Sequence, residues 1–387
     1  MARIAVRRAS SLAQRPLHAL VLLFLVLVVA GCYGPGAPGD PGVASTGLAA
    51  SRPPLTEQSP SSGAFEEVHL SVTSWGVLAD TGTGIYLAKD GALVRVGAFP
   101  DVASVRSELI ELDSDQLAVA TAEGAIIRVY VSDDRAATWR LVGSTSVDTV
   151  DGIVGIDLAS TSGTFVVLAE EQSSSAFRFA RVATSADGGV TWKTSHAPIG
   201  GMLSRADSMW WITGGASSNQ VFRSVDGSDW QELKVPVPAE DWTADRVFGG
   251  AGVGVVVPIT MHDQDLESSV VFLATQDGGQ SWSEAGSASV PSSASGSTIP
   301  SAVAADGSWV LVYVDGSKVI SGRFGLDGVK IVSPNGLPQN VTDVEMSGPT
   351  LTVVATPSSC PTGKDSCVSS STILQSLDGG QTWEPVE

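Results

Sequence analysis

The segment Ser185-Ala186-Asp187-Gly188-Gly189-Val190-Thr191-Trp192 recurs along the chain. Full copies occupy residues 275–282 and 376–383. Two degenerate copies occupy residues 132–139, which lack the glycines, and residues 224–230, which are one position shorter. An Asp side chain accepts backbone N–H bonds and Gly adopts positive φ, so each copy predicts a tight turn. The Trp that follows begins the next strand and buries a large ring.

The pattern S/T-x-D-x-G-x-T/S-W resembles the Asp-box of the sialidase-type (BNR) repeat. In that family the box lies in the turn between the third and fourth strands of a β-propeller blade, remote from the active site. The resemblance therefore implies a structural role for the box residues Asp134, Trp139, Asp187, Gly189, Trp192, Asp226, Trp230, Asp277, Gly279, Trp282, Asp378, Gly380 and Trp383.

The spacing of the copies predicts the number of blades. Their Trp residues are separated by 53, 38, 52 and 101 residues. The last interval has room for a blade whose box has decayed, with a turn near residues 325–328, and the chain before Trp139 has room for another, with a turn at residues 89–91. We predict an all-β, seven-bladed propeller over residues 65–387, about 46 residues per blade, with six or eight blades as alternatives.

Short runs rich in β-forming residues agree with this architecture, and no long amphipathic helix is visible. The runs that predict strands most clearly are Ile126–Val131, Thr164–Leu168, Gly254–Ile259, Val270–Ala274, Trp309–Val314 and Leu351–Ala355.

The N-terminal residues 1–31 are predicted to be an export signal. They contain four Arg and no acidic residue, followed by an apolar run shorter than the roughly 20 residues that a membrane span needs. The run ends in Val29-Ala30-Gly31-Cys32, which resembles a bacterial lipobox, in which the Cys is lipidated. The alternative is an ordinary signal peptide with an incidental Cys32.

Residues 32–64 are rich in Gly, Pro, Ser and Ala and are predicted to be a flexible tether, because such a composition buries too little apolar surface to order itself. Together with the lipobox, this segment predicts a protein held by the Cys32 lipid at the extracytoplasmic face of the cell membrane. Outside the cytoplasm, Cys360 and Cys367 are expected to form a disulfide.

The charge of the chain excludes some classes of partner. The formal net charge is −19, and beyond residue 31 the 18 basic and 41 acidic residues give −23. Nucleic acids and anionic lipid surfaces are bound through clustered Lys and Arg, so we expect neither as a partner. The expected protein is a monomer that carries no cofactor and no metal.

The predicted insertions place a ligand on the face opposite the box turns. Residues 170–176, 261–269 and 357–368 fall between second and third strands, and long loops are where binding is commonly found. Residues considered for this face are Arg106, Glu170, Arg205, Trp242, Arg246, His262 and Asp265.

Each of these residues also has a simpler interpretation. The His262–Asp265 segment could bind a metal or be a solvated acidic loop. Glu170 and Glu171 could form a catalytic carboxylate pair, although adjacent residues next to a strand usually point apart. Trp242 could stack on a sugar or a peptide, or pack in the core. Arg106, Arg205 and Arg246 could balance local acids such as Asp207 and Asp245.

Sialidase activity is the catalytic alternative that the resemblance implies. That family clamps the substrate carboxylate with three Arg and uses a Tyr–Glu nucleophile and an Asp acid/base. Arg106, Arg205 and Arg246 lie at predicted blade entrances, but residues 95–100 depart from the Arg-Ile-Pro signature of the first blade. The chain has only four Tyr, one of them in the tether. We therefore expect a non-catalytic binding or assembly platform for a protein or glycan, with a sialidase-like exo-glycosidase as the alternative.

Overall fold

Short antiparallel strands joined by turns make up the part of the chain that the computed structural model describes. That part is residues 68–386 apart from residues 83, 90, 101–104, 150–151, 162, 172–178, 215–217, 238–240, 251–252, 262–266, 292–298, 305, 313–316, 325–329, 338–339 and 357–370. The predicted signal, the tether and all three cysteines lie outside it.

Seven sheets follow one another along the chain, and each forms one blade. Blades 1 and 2 contain β1 (His69–Thr73), β2 (Gly76–Asp80), β3 (Ile85–Lys89), β4 (Ala92–Gly97), β5 (Val105–Arg106), β6 (Ile110–Asp113), β7 (Gln116–Glu123), β8 (Ile126–Ser132) and β9 (Arg140–Ser146). Blades 3 and 4 contain β10 (Ile153–Thr161), β11 (Thr164–Glu171), β12 (Ala180–Ser185), β13 (Lys193–His196), β14 (Met202–Ala206), β15 (Met209–Thr213), β16 (Val221–Ser224) and β17 (Gln231–Glu232).

Blade 5 contains β18 (Trp242–Ala244), β19 (Phe248–Gly250), β20 (Gly254–Met261), β21 (Glu267–Thr275) and β22 (Ser283–Pro291). Blades 6 and 7 contain β23 (Ser301–Val303), β24 (Ser308–Val312), β25 (Val319–Arg323), β26 (Lys330–Val332), β27 (Val341–Ser347), β28 (Thr350–Ala355), β29 (Thr372–Ser376) and β30 (Glu384–Pro385). The prediction of an all-β, seven-bladed propeller is confirmed, and the alternatives of six and eight blades are wrong.

The first strand is broken in two of the blades. In blade 2, β5 and β6 both pair with β7, and in blade 5, β18 and β19 both pair with β20. Between the halves, residues 107–109 and 245–247 leave the regular ladder. The two breaks are important for the centre of the ring, because they contain the charged residues Glu108, Asp245 and Arg246.

The second strands are buried on both faces, which explains their continuous apolar sequences. In β11, β20 and β28 nearly every residue is buried. The predicted strand at Trp309–Val314 begins one residue earlier, at Ser308, and is described as far as Val312. The predicted turn at residues 89–91 falls between β3 and β4, where Lys89 pairs with Ala92, whereas the one near residues 325–328 lies outside the described residues.

Each of the five copies of the repeated motif joins the third and fourth strands of its blade. At the copy in blade 3, the carboxylate of Asp187 accepts a bond from the backbone N–H of Thr191 at 2.8 Å and one from its hydroxyl at 2.6 Å. Ser185 donates its hydroxyl to Asp187 and accepts the N–H of Gly189 at 2.8 Å. The bonds from Thr191 lower the pKa of Asp187 to about 2. We refer to these five segments as the box turns.

Each box turn packs on the blade that precedes it. Gly189 of blade 3 lies against β9 of blade 2, where a Cβ on Gly143 would overlap the carbonyl of Gly189. Gly97 of blade 1 meets the carbonyl of Ala136 in the same way. Further along, the side chain of Thr184 donates to Gly227 O at 3.1 Å, and a Cβ on Gly279 would come within 2.6 Å of Leu233. The box turns therefore link neighbouring blades.

Among the described residues no strand is exchanged between the first and last blades, and side chains join them. One apolar cluster joins Leu70 and Val77 of blade 1 to Val354 and Ile373 of blade 7. The junction between blades 5 and 6 is filled by Trp309, whose ring centroid lies 4.7 Å from that of Phe272.

We expect Gly143→Ala to destabilise the protein by about 1–3 kcal/mol, because its methyl group would meet a backbone carbonyl that no rotamer change can move. Gly286 occupies the fourth strand of blade 5, and a Cβ there would reach only ordinary contact with Trp309, at 3.6 Å. Gly286→Ala is therefore the matched control. Chemical denaturation of both variants measures the difference, and equal stability of the two would contradict the role given to the box-turn contact.

Candidate functional site: an acidic cavity at the ring centre

The inner strands surround a cavity of about 410 Å³, which we call the central cavity. Several of its residues begin the first strand of a blade, such as His69 of β1, Met202 of β14 and Ser301 of β23. Thr356 and Ser371 also line it, and they flank the connection from β28 to β29. Because second-to-third strand connections lie at the opposite end of the blade from the box turns, the central cavity opens on the face opposite those turns.

Many of the residues that line the central cavity have charged side chains. Glu108, Asp245, Arg246, Asp343 and Glu345 all face the central cavity. Glu108 comes from the break in the first strand of blade 2, and Asp245 and Arg246 come from the break in blade 5. The broken strands therefore supply both members of the ion pair described next.

Arg246 reaches across the ring. Its guanidinium contacts the carboxylate of Glu108, and its second terminal nitrogen lies 3.9 Å from Asp157 of β10. Burial disfavours the charged form, yet the carboxylates of Glu108 and Asp157 hold the pKa of Arg246 well above its ordinary value. Burial also opposes ionisation of Glu108, but Arg246 lowers the pKa of that carboxyl. Glu108 and Arg246 are thus a charged pair that connects blades 2 and 5.

Three aspartates of the inner strands bind the next blade. Asp157 accepts the N–H of Leu203 at 2.8 Å, and Asp343 accepts the N–H of Leu70 at 3.0 Å. Asp245 accepts the hydroxyl of Ser301 at 3.0 Å. These bonds join blades 3 and 4, blades 7 and 1, and blades 5 and 6, respectively. We call them the interblade carboxylate bonds.

Burial and crowding make several of these carboxyl groups weak acids. Burial raises the pKa of Asp157 to about 6, despite the nearby Arg246. Burial and the charge of Glu108 raise the pKa of Asp343 to about 6. Burial and the charge of Asp343 raise the pKa of Glu345 well above its ordinary value. The central cavity thus contains both a carboxylate that stays ionised, Glu108, and carboxyl groups that take up protons readily.

The structure separates the arginines that the sequence grouped together. Among the described residues that line the central cavity, Arg246 is the single member of the trio. Arg106 lies 3.3 Å from Asp80 and over the ring of Phe99. Arg205 stacks over the ring of Trp210. The geometry therefore provides no three-arginine carboxylate clamp among these residues, and the partner of Arg246 is Glu108 rather than the adjacent Asp245.

The other described residues that were candidates for this face lie in strands of the blades. Trp242 begins β18, is half-buried and packs in the apolar cluster shared by blades 4 and 5. Glu170 lies in β11, and the adjacent Glu171 pairs with Arg181 at 3.0 Å. His262, Asp265, Cys360 and Cys367 lie outside the described residues.

Sequence reasoning missed Glu108, Asp157, Asp343 and Glu345. A signal was present in the repeated placement of Asp next to apolar residues in the first strands. The sequences that carry it are Ile156-Asp157-Leu158, Ala244-Asp245 and Thr342-Asp343-Val344. An acidic residue at the same place in three blades indicates side chains that converge on the ring axis.

The described part of the chain contains no group of three or more His, Cys, Asp and Glu residues that could hold a metal ion. It also contains no helix with the length and apolar composition of a membrane span.

No protein-family model and no curated protein matches the chain. Among solved structures, it is similar to YCF48 from Cyanidioschyzon merolae, with 11% identity, a TM-score of 0.44 and coverage of 74% of this chain and 86% of that chain. It is also similar to the β-propeller domain of Cps50 (Swd1) from Myceliophteria thermophila, with 7% identity, a TM-score of 0.49 and coverage of 75% and 93%, respectively.

A third similar structure is the GH93 α-L-arabinofuranosidase of Fusarium graminearum in complex with arabinobiose, with 12% identity, a TM-score of 0.37 and coverage of 70% of this chain and 91% of that chain. Likeness at this level assigns neither a family nor an activity. The seven blades are established by the pairing of the strands themselves.

We expect Arg246→Met to lower the free energy of unfolding by roughly 1–3 kcal/mol, a partly buried pair being weaker than a fully buried one. The loss arises because Glu108 and Asp157 would lose their counter-charge. Arg128→Met, which removes an ion pair to the exposed Glu123, is the control and should cost about 0–1 kcal/mol.

A double variant tests whether the loss comes from the ion pair itself. Glu108→Gln combined with Arg246→Met should recover part of the stability, because the uncompensated carboxylate is then gone. Strictly additive losses in urea denaturation would show that Arg246 and Glu108 are not coupled.

Proposed function

We propose that this protein is a membrane-anchored, extracytoplasmic binding or assembly platform that takes a protein or glycan ligand on the face opposite the box turns. The observation that carries the proposal is the central cavity, which opens on that face and is lined by charged groups. Its Arg246 is occupied by Glu108 and Asp157, so it is a structural charge rather than a free anion-binding group. The platform is proposed to act as a monomer, without cofactor or metal.

The box turns are proposed to be Asp-boxes, and their role to be structural. The hydrogen bonds of Asp187 and the contacts with the preceding blade support this interpretation, since both serve the turn and the blade junction. No group of the box turns lines the central cavity among the residues described. The ligand site and the repeated motif therefore lie on different faces.

The anchor is proposed to be a lipid on Cys32. The basic start, the apolar run and the Val29-Ala30-Gly31-Cys32 sequence support export followed by lipidation. The Gly- and Pro-rich residues 32–64 would then separate the propeller from the membrane by a flexible tether, roughly 30 Å in root-mean-square length. In the same exported protein, Cys360 and Cys367 are proposed to pair.

A glycosidase is the second candidate, and one observation favours it. Glu108 has a lowered pKa and Glu345 a raised pKa, and both line one cavity. Carboxyl groups whose environments separate their pKa values are the pattern of a general acid and its ionised partner in glycoside hydrolysis. An anionic sialoside suits this acidic lining poorly, and Tyr86 and Tyr130 are buried strand residues. A neutral sugar or an amino sugar is the better substrate class.

The binding proposal predicts that contacts with a partner map to one face. A photo-crosslinking residue at the exposed Thr342, beside the central cavity, should give reproducible adducts with a protein or glycan of the native membrane fraction. The same residue at Val190, 78% exposed on a box turn, is the control and should give none. Adducts from Val190 alone, or none from either position together with no binding on a glycan array, would contradict the proposal.

The glycosidase candidate predicts turnover of a neutral or amino-sugar glycoside that Glu345→Gln reduces by about 10²-fold or more, because proton donation to the leaving group is lost. Thr191→Ala, in a box turn, should leave turnover unchanged. A panel of fluorogenic glycosides measures both variants and the wild type. No turnover of any glycoside by the wild type would reject this candidate and leave the binding proposal standing.

The anchor proposal predicts that Cys32→Ser moves the protein from the membrane fraction to the soluble exported fraction, because the thiol that carries the lipid is absent. Fractionation followed by immunodetection measures the distribution, and Cys360→Ser is the control that should stay with the membrane. Retention of the Cys32→Ser variant at the membrane would refute the lipobox interpretation.

A further inference from the structure

We propose that the carboxyl groups around the central cavity make the ring proton-responsive, so that mild acidity tightens it and neutral or alkaline conditions loosen it. The proposal concerns the ring itself and does not depend on the identity of any ligand.

The titratable groups at the centre come from five of the seven blades. Blade 1 contributes His69, blade 2 Glu108, blade 3 Asp157, blade 5 Asp245 and Arg246, and blade 7 Asp343 and Glu345. The corresponding inner positions of blades 4 and 6 contribute the uncharged Met202 and Ser301. Five carboxyl groups thus share one guanidinium, and with all of them ionised the cluster carries a marked excess of negative charge.

The fold prevents these groups from moving apart. Asp157, Asp245 and Asp343 are fixed by the interblade carboxylate bonds, and Glu108 is fixed by Arg246. Glu345 lies two residues from Asp343 in β27, so both side chains point to the same side of the strand. Like charges held at close range in a partly buried site repel each other strongly. Proton uptake is the remaining way to relieve the repulsion.

The sign of the pH effect follows from the pKa values. Asp157 and Asp343 have pKa values of about 6 in the folded protein against an ordinary value of 3.8, and those of Asp245 and Glu345 are also raised. At pH values between the ordinary pKa and the pKa in the folded protein, the folded state binds more protons than the unfolded state. Stability therefore falls as the pH rises through about 6, and it is gained when the pH falls back.

The carboxyl groups of the box turns have the opposite effect on the pH dependence of stability. Hydrogen bonds lower the pKa values of Asp187 and Asp277 to about 2, and they lower those of Asp226 and Asp378 as well. These groups stabilise the fold above their ordinary value of 3.8, and that stabilisation is lost as the pH falls through the folded values. Together the two sets of carboxyl groups place maximum stability in the mildly acidic range.

Thermal unfolding of the full-length protein across pH tests the proposal. The midpoint should be highest near pH 5 and about 3 °C or more lower at pH 8. Glu345→Gln, alone and combined with Asp343→Asn, should flatten the fall between those two values, because the repelling charges are gone while Asn keeps an acceptor for Leu70. Glu284→Gln, an exposed acid of β22, is the matched control and should keep the wild-type slope.

Two outcomes would overturn the proposal: a wild-type midpoint that does not fall between pH 5 and pH 8, or an unchanged slope in the Glu345→Gln variant. If the variants do not fold, the wild type still provides a direct test. In protein labelled with ¹³C at the Asp and Glu carboxyl carbons, at least two resonances should titrate with midpoints of about 6 or higher. Titration of every carboxyl resonance below about 5 would also overturn it.

Discussion

The structure depends on the contact between each box turn and the blade before it. A propeller blade is a small sheet that cannot bury both of its faces alone, so its stability comes from its neighbours. Here the turn does more than reverse the chain, because a backbone carbonyl of the turn, from Ala136 in blade 2 and from Gly189 in blade 3, packs against Gly97 or Gly143 of the preceding fourth strand. The Asp that orders the turn and the glycine that receives it are therefore parts of one blade junction, although they belong to different repeats.

The junctions without a described box turn use other means. Between blades 5 and 6 the ring of Trp309 packs on Phe272, and Asp245 bonds Ser301 at the inner edge. Between blades 7 and 1 an apolar cluster is combined with the bond from Leu70 N to Asp343. Among the described residues no strand crosses that last junction, so this bond is a polar link that helps close the ring. Closure thus depends on side chains that also line the central cavity.

The sequence predicts the parts of this molecule whose physics is local. A turn motif such as residues 185–192 depends only on consecutive residues. The repeat, the blade count and the positions of the second strands can therefore be inferred from the sequence. The central cavity is not local, because Glu108 and Arg246 are 138 residues apart and meet through two broken strands in different blades. The pairing of Arg106 in blade 2 with Asp80 in blade 1 was hidden for the same reason, whereas Arg205 and Trp210 face each other across the hairpin of β14 and β15.

The central cavity contains more charged groups than the fold requires. Blades 4 and 6 place Met202 and Ser301 at the inner edge where blades 2, 3, 5 and 7 place carboxyl groups, and each of them still forms a four-stranded sheet. Buried like charges are costly, and a lining of small neutral residues would avoid that cost. Positions at which a sequence keeps an unfavourable local choice are commonly functional. Because Asp157 and Asp343 also bond the next blade while Glu345 has no such bond among the described contacts, Glu345 is the residue whose charge is hardest to explain by structure alone. Function at the central cavity should therefore be sought first at that side chain.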